Sequence, residues 1–199
     1  SYSKDFEFVF EGGDGDDFIN YLENKDSIIP DILLLDIRMP KGMNGMEVIT
    51  KLSKNYKSIQ VIVLSSLDSS HFKDFMIKSG ACGYLTKNAS PQKLLYTIQE
   101  VYDKGMYYEP EMIEYLLNKT KSLGTNLVKS PDQLSRREVE ILELICQEFS
   151  NKQIADKLNI SERTVEGHRR KMMSKTKSNN IAGLILFAIR EQIIEIDLT

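Results

Sequence analysis

The sequence has 199 residues, 41% of them apolar and 28% charged, with a formal net charge of −3. That length suits one large or two small domains, each with its own core, and the composition excludes a disordered or fibrous chain. No apolar run approaches the ~20 residues of a membrane span, and no basic-then-apolar leader is visible, so a soluble chain without membrane contact is expected.

Charge is unevenly spread. Residues 1–118 carry 12 basic against 18 acidic residues, residues 119–129 hold three Lys and no acid, and residues 130–199 hold 11 of each sign. Within the last block, Ser161–Lys177 has six basic and two acidic residues. An acidic module, a basic joint and a module with one basic helix predict two domains with different partners. Cys82 and Cys146 match no metal or redox spacing and read as buried thiols in a reducing compartment, the cytoplasm.

Taken in order, Phe6–Phe10 alternates enough for a strand, and the acidic run 14–17 supplies a cap for a helix carrying Phe18, Ile19 and Leu22. That run lacks the spaced ligands of a calcium loop. Ile32-Leu33-Leu34-Leu35-Asp36 reads as a strand buried on both faces, stopped by Pro40, with its carboxylate at the carboxyl edge of a sheet. Taken alone, Asp36 reads equally as a turn former or a reactive group. A helix over Met46–Lys54 follows, with Met46, Ile49 and Leu52 on one side. Gln60–Ser66 is a second apolar strand ending in hydroxyls. Ser70–Ser79 is helical and stops at Gly80; Gly83–Lys87 is a short strand; Pro91–Lys104 is an amphipathic helix. Strands alternating with helical crossovers predict a parallel doubly wound α/β sheet.

Three consecutive strands end in Asp36, Ser65 and Lys87. On one edge of a parallel sheet they bring together a carboxylate, a hydroxyl and an ammonium. A carboxylate nucleophile forms aspartyl phosphates, and a Lys and a hydroxyl suit the charged oxygens of a transferred phosphoryl group.

LLLDIRMP, VIVLSS and GYLTK resemble the receiver domain of two-component response regulators, a flavodoxin-like fold. The resemblance implies Asp36 as phosphoacceptor, Ser65 as switch hydroxyl, Ser66 as a lining residue, Tyr84 as the aromatic that follows phosphorylation and Lys87 as the phosphate-binding Lys. It implies Mg²⁺, held by Asp36, the backbone carbonyl of Arg38 and an acidic pair on an earlier strand. Nothing before Phe6 fits that strand, which in the family order 2-1-3-4-5 is central. The expectation is that roughly 30 residues of the natural protein precede this sequence.

Glu109–Thr120 reads as a helix with Met112, Ile113, Leu116 and Leu117 on one face, and Thr120–Ser130 as a polar, basic linker. Ser135 and Glu138 form a capping box opening a helix with Val139, Ile141, Leu142, Leu144 and Ile145 inward. Ser150 and Ser161 cap two short helices joined by about three residues, a helix-turn-helix. On the second, Val165, His168 or Arg169, and Met172 form the inward stripe, and the basic residues fall on the other faces. LSRREVEILELICQEFSNKQIADKLNISERTVEGHRRKMMSKT is similar to the LuxR-type DNA-binding domain, so the whole chain resembles the NarL/FixJ response regulators.

That resemblance implies base-edge contact from Glu166, Gly167 and Arg170, and phosphate contact from Arg163, Thr164, Lys171 and Lys175. Glu166 can accept from cytosine N4. His168 is expected to pack or touch phosphate. The last helix, over Asn180–Ile193, contributes core and a dimerisation surface. The expected organisation is a receiver over 1–118, a linker over 119–130 and an all-α four-helix helix-turn-helix domain over 131–199. The expected function is a cytoplasmic, non-enzymatic transcription factor with no small-molecule substrate. A sensor histidine kinase phosphorylates Asp36, and homodimers form through the receiver and last helix on promoter half-sites. The alternatives are a phosphorylation-independent regulator with a degenerate receiver and, third, a dehalogenase-like phosphatase, which Arg38 two residues after Asp36 disfavours.

Overall fold

A computed structural model describes residues 6–66, 70–122, 134–191 and 193–194. The N-terminal unit is built on a parallel sheet of three strands, β1 (Ile32–Asp36), β2 (Gln60–Ser65) and β3 (Gly83–Thr86), in the order β1-β2-β3. The register pairs Asp36 with Leu64 and Ser65 with Thr86, so the three strands end almost level. Helices α1 (Gly15–Glu23), α2 (Gly45–Asn55), α3 (Ser70–Ser79), α4 (Pro91–Lys104) and α5 (Pro110–Ser122) surround it.

Alternation along the strands splits the core into two layers. Leu35, Val61 and Val63 pack with Val48, Ile49 and Leu52 of α2 and Phe72 and Met76 of α3. Ile62 and Leu85 face the other way, against Val101 of α4. The helix ends follow local chemistry. Asp14 caps α1, Asn44 and Glu47 form a capping box on α2, and Ser90 with Pro91 starts α4. Gly105 closes α4 in the left-handed region at φ 84°.

The strand expected over Phe6–Phe10 does not form. A strand needs a ladder partner, and among the described residues β1 pairs with β2 alone. The segment is held instead by side chains: Phe10 packs at a tilt against Phe18 and Tyr21 at centroid distances of 5.3 and 4.7 Å, while Phe8 is 91% exposed. Two face assignments also change. Met46 is 43% exposed, because Val48, Ile49 and Leu52 form the buried side of α2. Ile113 is 40% exposed while Met112 is buried, since adjacent helical residues point about 100° apart. The side chains of Leu116 and Leu117, and the linker beyond Ser122 up to residue 133, lie outside the described residues.

The C-terminal unit is four helices, α6 (Arg136–Cys146), α7 (Asn151–Leu158), α8 (Glu162–Thr176) and α9 (Ile181–Arg190). The capping boxes at Ser135 and Ser150 and the cap at Ser161 form as expected, and Asn159 makes the α7–α8 turn in the left-handed region. Ile141, Leu142, Ile154, Val165, Met172 and Leu184 are its fully buried centre. α9 ends at Arg190, shorter than the sequence suggests, and Val139 is only half-buried. Cys82 and Cys146 are free; burial pushes their thiols up to about 11 and about 12.

The two units touch. α9 packs against α3 and α5, and α7 against α4. Ala182 and Leu186 of α9 join the same apolar cluster as the α2–α3 side of the sheet.

Candidate functional site

At the carboxyl edge of the sheet the Lys87 ammonium reaches over the end of β2 to the Asp36 carboxylate, Nζ to Oδ2 at 2.5 Å. The other oxygen, Oδ1, accepts from the Arg38 N–H at 2.9 Å, an Asx turn that holds the carboxylate upright at the strand end. Asp36 and Lys87 keep side-chain exposures of 32% and 43%, so the pair is open to an incoming group. Ser65 sits between them in the sheet order and is buried; Ser66, the next residue, is exposed. The Lys87 N–H donates to the Ser65 carbonyl at 3.1 Å, which ties the two neighbouring strand ends together.

Tyr84 lies one layer in, half-buried, edge-on to Phe72 of α3 at 5.4 Å. The sheet therefore assembles Asp36, Ser65, Ser66 and Lys87 at one edge and sets Tyr84 behind them, facing α3. One further residue has a positional role. Gly45, the first of α2, lies so close to the end of β1 that a Cβ there would sit 2.4 Å from the Asp36 carbonyl oxygen. The GMNG loop signalled a turn, but not this approach.

Among the described residues no three His, Cys, Asp or Glu side chains converge as a metal site. Asp36 and the Arg38 carbonyl would supply two oxygens, and both Asp36 oxygens are already engaged by Lys87 and the Arg38 N–H. Magnesium binds through near-octahedral oxygens. The residues present therefore do not by themselves fit the ion. The acidic run 14–17 is taken up locally: Asp14 caps α1, Asp17 accepts from the Gly13 N–H, and Asp16 accepts from the Met43 N–H at 2.8 Å.

The second candidate surface is α8. Arg163, Thr164, Glu166, Arg170, Lys171 and Lys175 are exposed, and a Cβ placed on Gly167 would meet nothing within 4 Å. Val165, Arg169 and Met172 are the buried stripe, so Arg169 takes the inward position that the spacing left open between it and His168. His168 is partly buried, its Nδ1 without a hydrogen-bond partner, which fits a packing role. Several of the exposed side chains are already engaged. The Thr164 hydroxyl shares a 2.8 Å hydrogen bond with the Ser161 cap, and Arg170 pairs with Glu166 at 3.5 Å.

Lys175 reaches the carboxylate of Glu138 at 2.7 Å. Glu138 is only 3% exposed, and its Oε2 also accepts from the Ser135 N–H at 2.7 Å. Burial alone would raise its pKa, but the hydrogen bonds from Lys175 and Ser135 outweigh that and hold it below the usual range. The capping box was legible in the sequence; the ion pair across 37 residues was not.

Arg169 spans both units. It donates to the Asn151 Oδ1 in α7 and, at 2.9 Å, to the Lys104 carbonyl at the end of α4. Burial draws its guanidinium down to about 10.

A parallel α/β unit with a paired carboxylate and ammonium at its carboxyl edge is joined to a helix-turn-helix with an exposed basic helix. Two family models match: the response regulator receiver domain over residues 3–99, and the bacterial regulatory proteins, luxR family, over residues 132–188. The chain is 32% identical over 201 residues to the oxygen regulatory protein NreC of Staphylococcus epidermidis, covering 98% of this chain and 90% of that one. It is 30% identical over 200 residues to NreC of Staphylococcus aureus, with the same coverage. Among solved structures it is similar to the response regulator ChrA of a heme-sensing two-component system: 31% identity, 82% of this chain, 77% of that one, TM-score 0.35. It is similar also to RcsB of Salmonella enterica serovar Typhimurium bound to a promoter: 25% identity, 89% of this chain, 83% of that one, TM-score 0.43.

The chain belongs to the response regulators that join a receiver domain to a LuxR-type DNA-binding domain. It is a DNA-binding transcription factor of the two-component class. Receivers as a family are phosphorylated in a Mg²⁺-dependent manner.

Proposed function

We propose that Asp36 is the residue at which this regulator is phosphorylated, by the phosphohistidine of a sensor histidine kinase. A carboxylate oxygen of Asp36 forms the new O–P bond as the P–N bond to the kinase imidazole breaks, and the imidazole departs with that electron pair. Lys87 then turns from the carboxylate to a phosphoryl oxygen, and Ser65 donates its hydroxyl to another, with Ser66 and Arg38 lining the pocket. Tyr84 and Phe72 repack as Ser65 moves. The observation that carries this reading is the 2.5 Å contact of Lys87 with Asp36 across the end of β2, beside Ser65. The protein takes its phosphoryl group once per signal and releases no product, so it acts as a switch in the cytoplasm, with no small-molecule substrate.

In the same reading, residues 1–118 are the receiver, 119–130 the linker and 131–199 the DNA-binding domain. Arg163, Thr164, Lys171 and Lys175 contact phosphates, and Glu166, Gly167 and Arg170 meet base edges in the major groove. Arg163, Glu166 and Arg170 of α8 line a cleft of about 660 Å³ together with Ser58, Tyr102 and Asp103 of the receiver. In this reading a major groove about 12 Å wide takes up α8 when the receiver side of that cleft moves away. Phosphorylation therefore acts by shifting the population away from the closed form. Footprinting of a target promoter with and without a phosphodonor tests the reading. Protection by the wild type is expected to strengthen on phosphorylation, and that of Asp36→Asn to stay at the basal level. Equal phosphodonor response in both proteins would overturn it.

A further inference from the structure

Arg169 is a charged side chain inside the protein without a charged partner. It is 6% exposed. Its guanidinium donates to the Asn151 Oδ1 and to the Lys104 carbonyl, both neutral acceptors. Among the described residues no Asp or Glu forms an ion pair with it. Buried charges are ordinarily paired, and a guanidinium offers five N–H donors in a planar fork, so two neutral acceptors leave part of that fork unused. The surroundings supply room and more charge of the same sign. Arg169, Asn151 and Gly105 all line the cleft of about 660 Å³, whose lining holds six basic side chains against four acidic. Arg170 is taken up by Glu166 at 3.5 Å, whereas Arg163 and Lys177, also in the lining, have no ion pair among the described residues. The first residues of α7 and α8, Asn151 and Glu162, lie there too. The N–H groups of a helix's first turn have no partners within the helix and favour negative charge.

We infer that the cleft is a binding site for a small phosphoryl oxyanion, free phosphate or a phosphomonoester, with Arg169 as its principal counter-charge. A guanidinium fork matches two oxygens of one phosphate, and Arg163 and Lys177 add charge without giving up a partner. The volume exceeds what one phosphate fills, which leaves room for the organic part of an ester. The cleft is walled by α8 on one side and the receiver on the other, so a ligand held there favours the arrangement in which they face each other. By reciprocity it lowers the affinity for DNA, an input opposite in sign to phosphorylation. That consequence rests on the function proposed above; the site itself does not.

The test is isothermal titration of the full chain with inorganic phosphate and, separately, with glycerol phosphate, chloride holding the ionic strength constant. Wild type is expected to show saturable uptake at a single site. Asn151→Asp gives Arg169 a carboxylate of the same size as the amide it replaces, in the first turn of α7 where negative charge is favoured. It is expected to weaken phosphate binding at least about tenfold, the loss of one charged hydrogen bond. Arg169→Met is expected to abolish uptake, and Asn151→Asp serves alone if that variant folds poorly. Tighter binding of the ester assigns the cleft to a phosphorylated metabolite, and tighter binding of phosphate assigns it to the free ion. No saturable uptake by wild type, or equal uptake by Asn151→Asp, overturns the inference. Promoter protection by wild type is expected to weaken as phosphate is added, more than that by Asn151→Asp; equal weakening overturns the regulatory consequence. Phosphotransfer to Asp36 is measured on the same samples, so that its failure is told apart from failure of the anion site.

Discussion

Replacing Lys175 by Met would leave the Glu138 carboxylate buried without its counter-charge. Glu138 is 3% exposed, and after the substitution its carboxylate would keep only the hydrogen bonds from Ser135. Loss of a hydrogen bond to a charged group costs about 1.5–3 kcal/mol. Because Lys175 is itself 41% exposed and partly screened by water, the lower figure applies, about 1.5 kcal/mol. The sign with pH follows from the direction of the Glu138 shift. A carboxylate held below its ordinary value of 4.5 contributes stability above that value and loses it as pH falls through its lower folded value. The gap between wild type and Lys175→Met should therefore be full at neutral pH and close in acid. Urea unfolding of both proteins across that range is the assay. A gap unchanged in acid, or no gap at neutral pH, would refute the reasoning. The same variant separates two roles, since a phosphate contact by Lys175 also predicts a salt-dependence slope of DNA binding lower by about 1.

Other consequences follow from the same contacts. Ile154→Ala empties a fully buried site in the C-terminal core and should cost about 2–5 kcal/mol, read by thermal unfolding. Asn44→Ala removes the side-chain acceptor for the Met46 and Glu47 N–H groups at the start of α2, the helix seated on the end of β1, and leaves the reciprocal bond from the Asn44 N–H to Glu47; about 1 kcal/mol is expected by urea unfolding. Glu166→Gln removes an acceptor-only carboxylate and frees Arg170 from its ion pair, so binding-site selection should shift at one base position by about 1–3 kcal/mol of discrimination.

The sequence made the carboxyl edge of the sheet legible because its signal is local and repeated: apolar runs fix where strands lie, and their last residues name the groups on the edge. Asp36, Ser65 and Lys87 needed only the parallel order to be brought together. Capping boxes at Ser135 and Ser150 were equally local. What the pattern missed depends on distant contacts. Phe6–Phe10 has the alternation of a strand, but a strand exists only by pairing, and the segment packs through Phe10 instead. Arg169 was one of two candidates, with His168, for an inward position, and nothing in its neighbours revealed that it closes on Lys104 and Gly105 of the other unit. Lys175 read as a phosphate contact because it is basic on an exposed helix; its pairing with Glu138 depends on how α6 and α8 pack. The apolarity of α9 was visible, whereas its packing against α3 and α5 was not.

Phosphoryl transfer to Asp36 can be read directly on the protein. Treating the intact protein with its kinase or a small-molecule phosphodonor, reducing the acyl phosphate with borohydride and mapping the modified peptide measures this directly. The account predicts conversion at Asp36 alone and none in Asp36→Asn. Label on any other residue of the wild type, or undiminished label in Asp36→Asn, would contradict it.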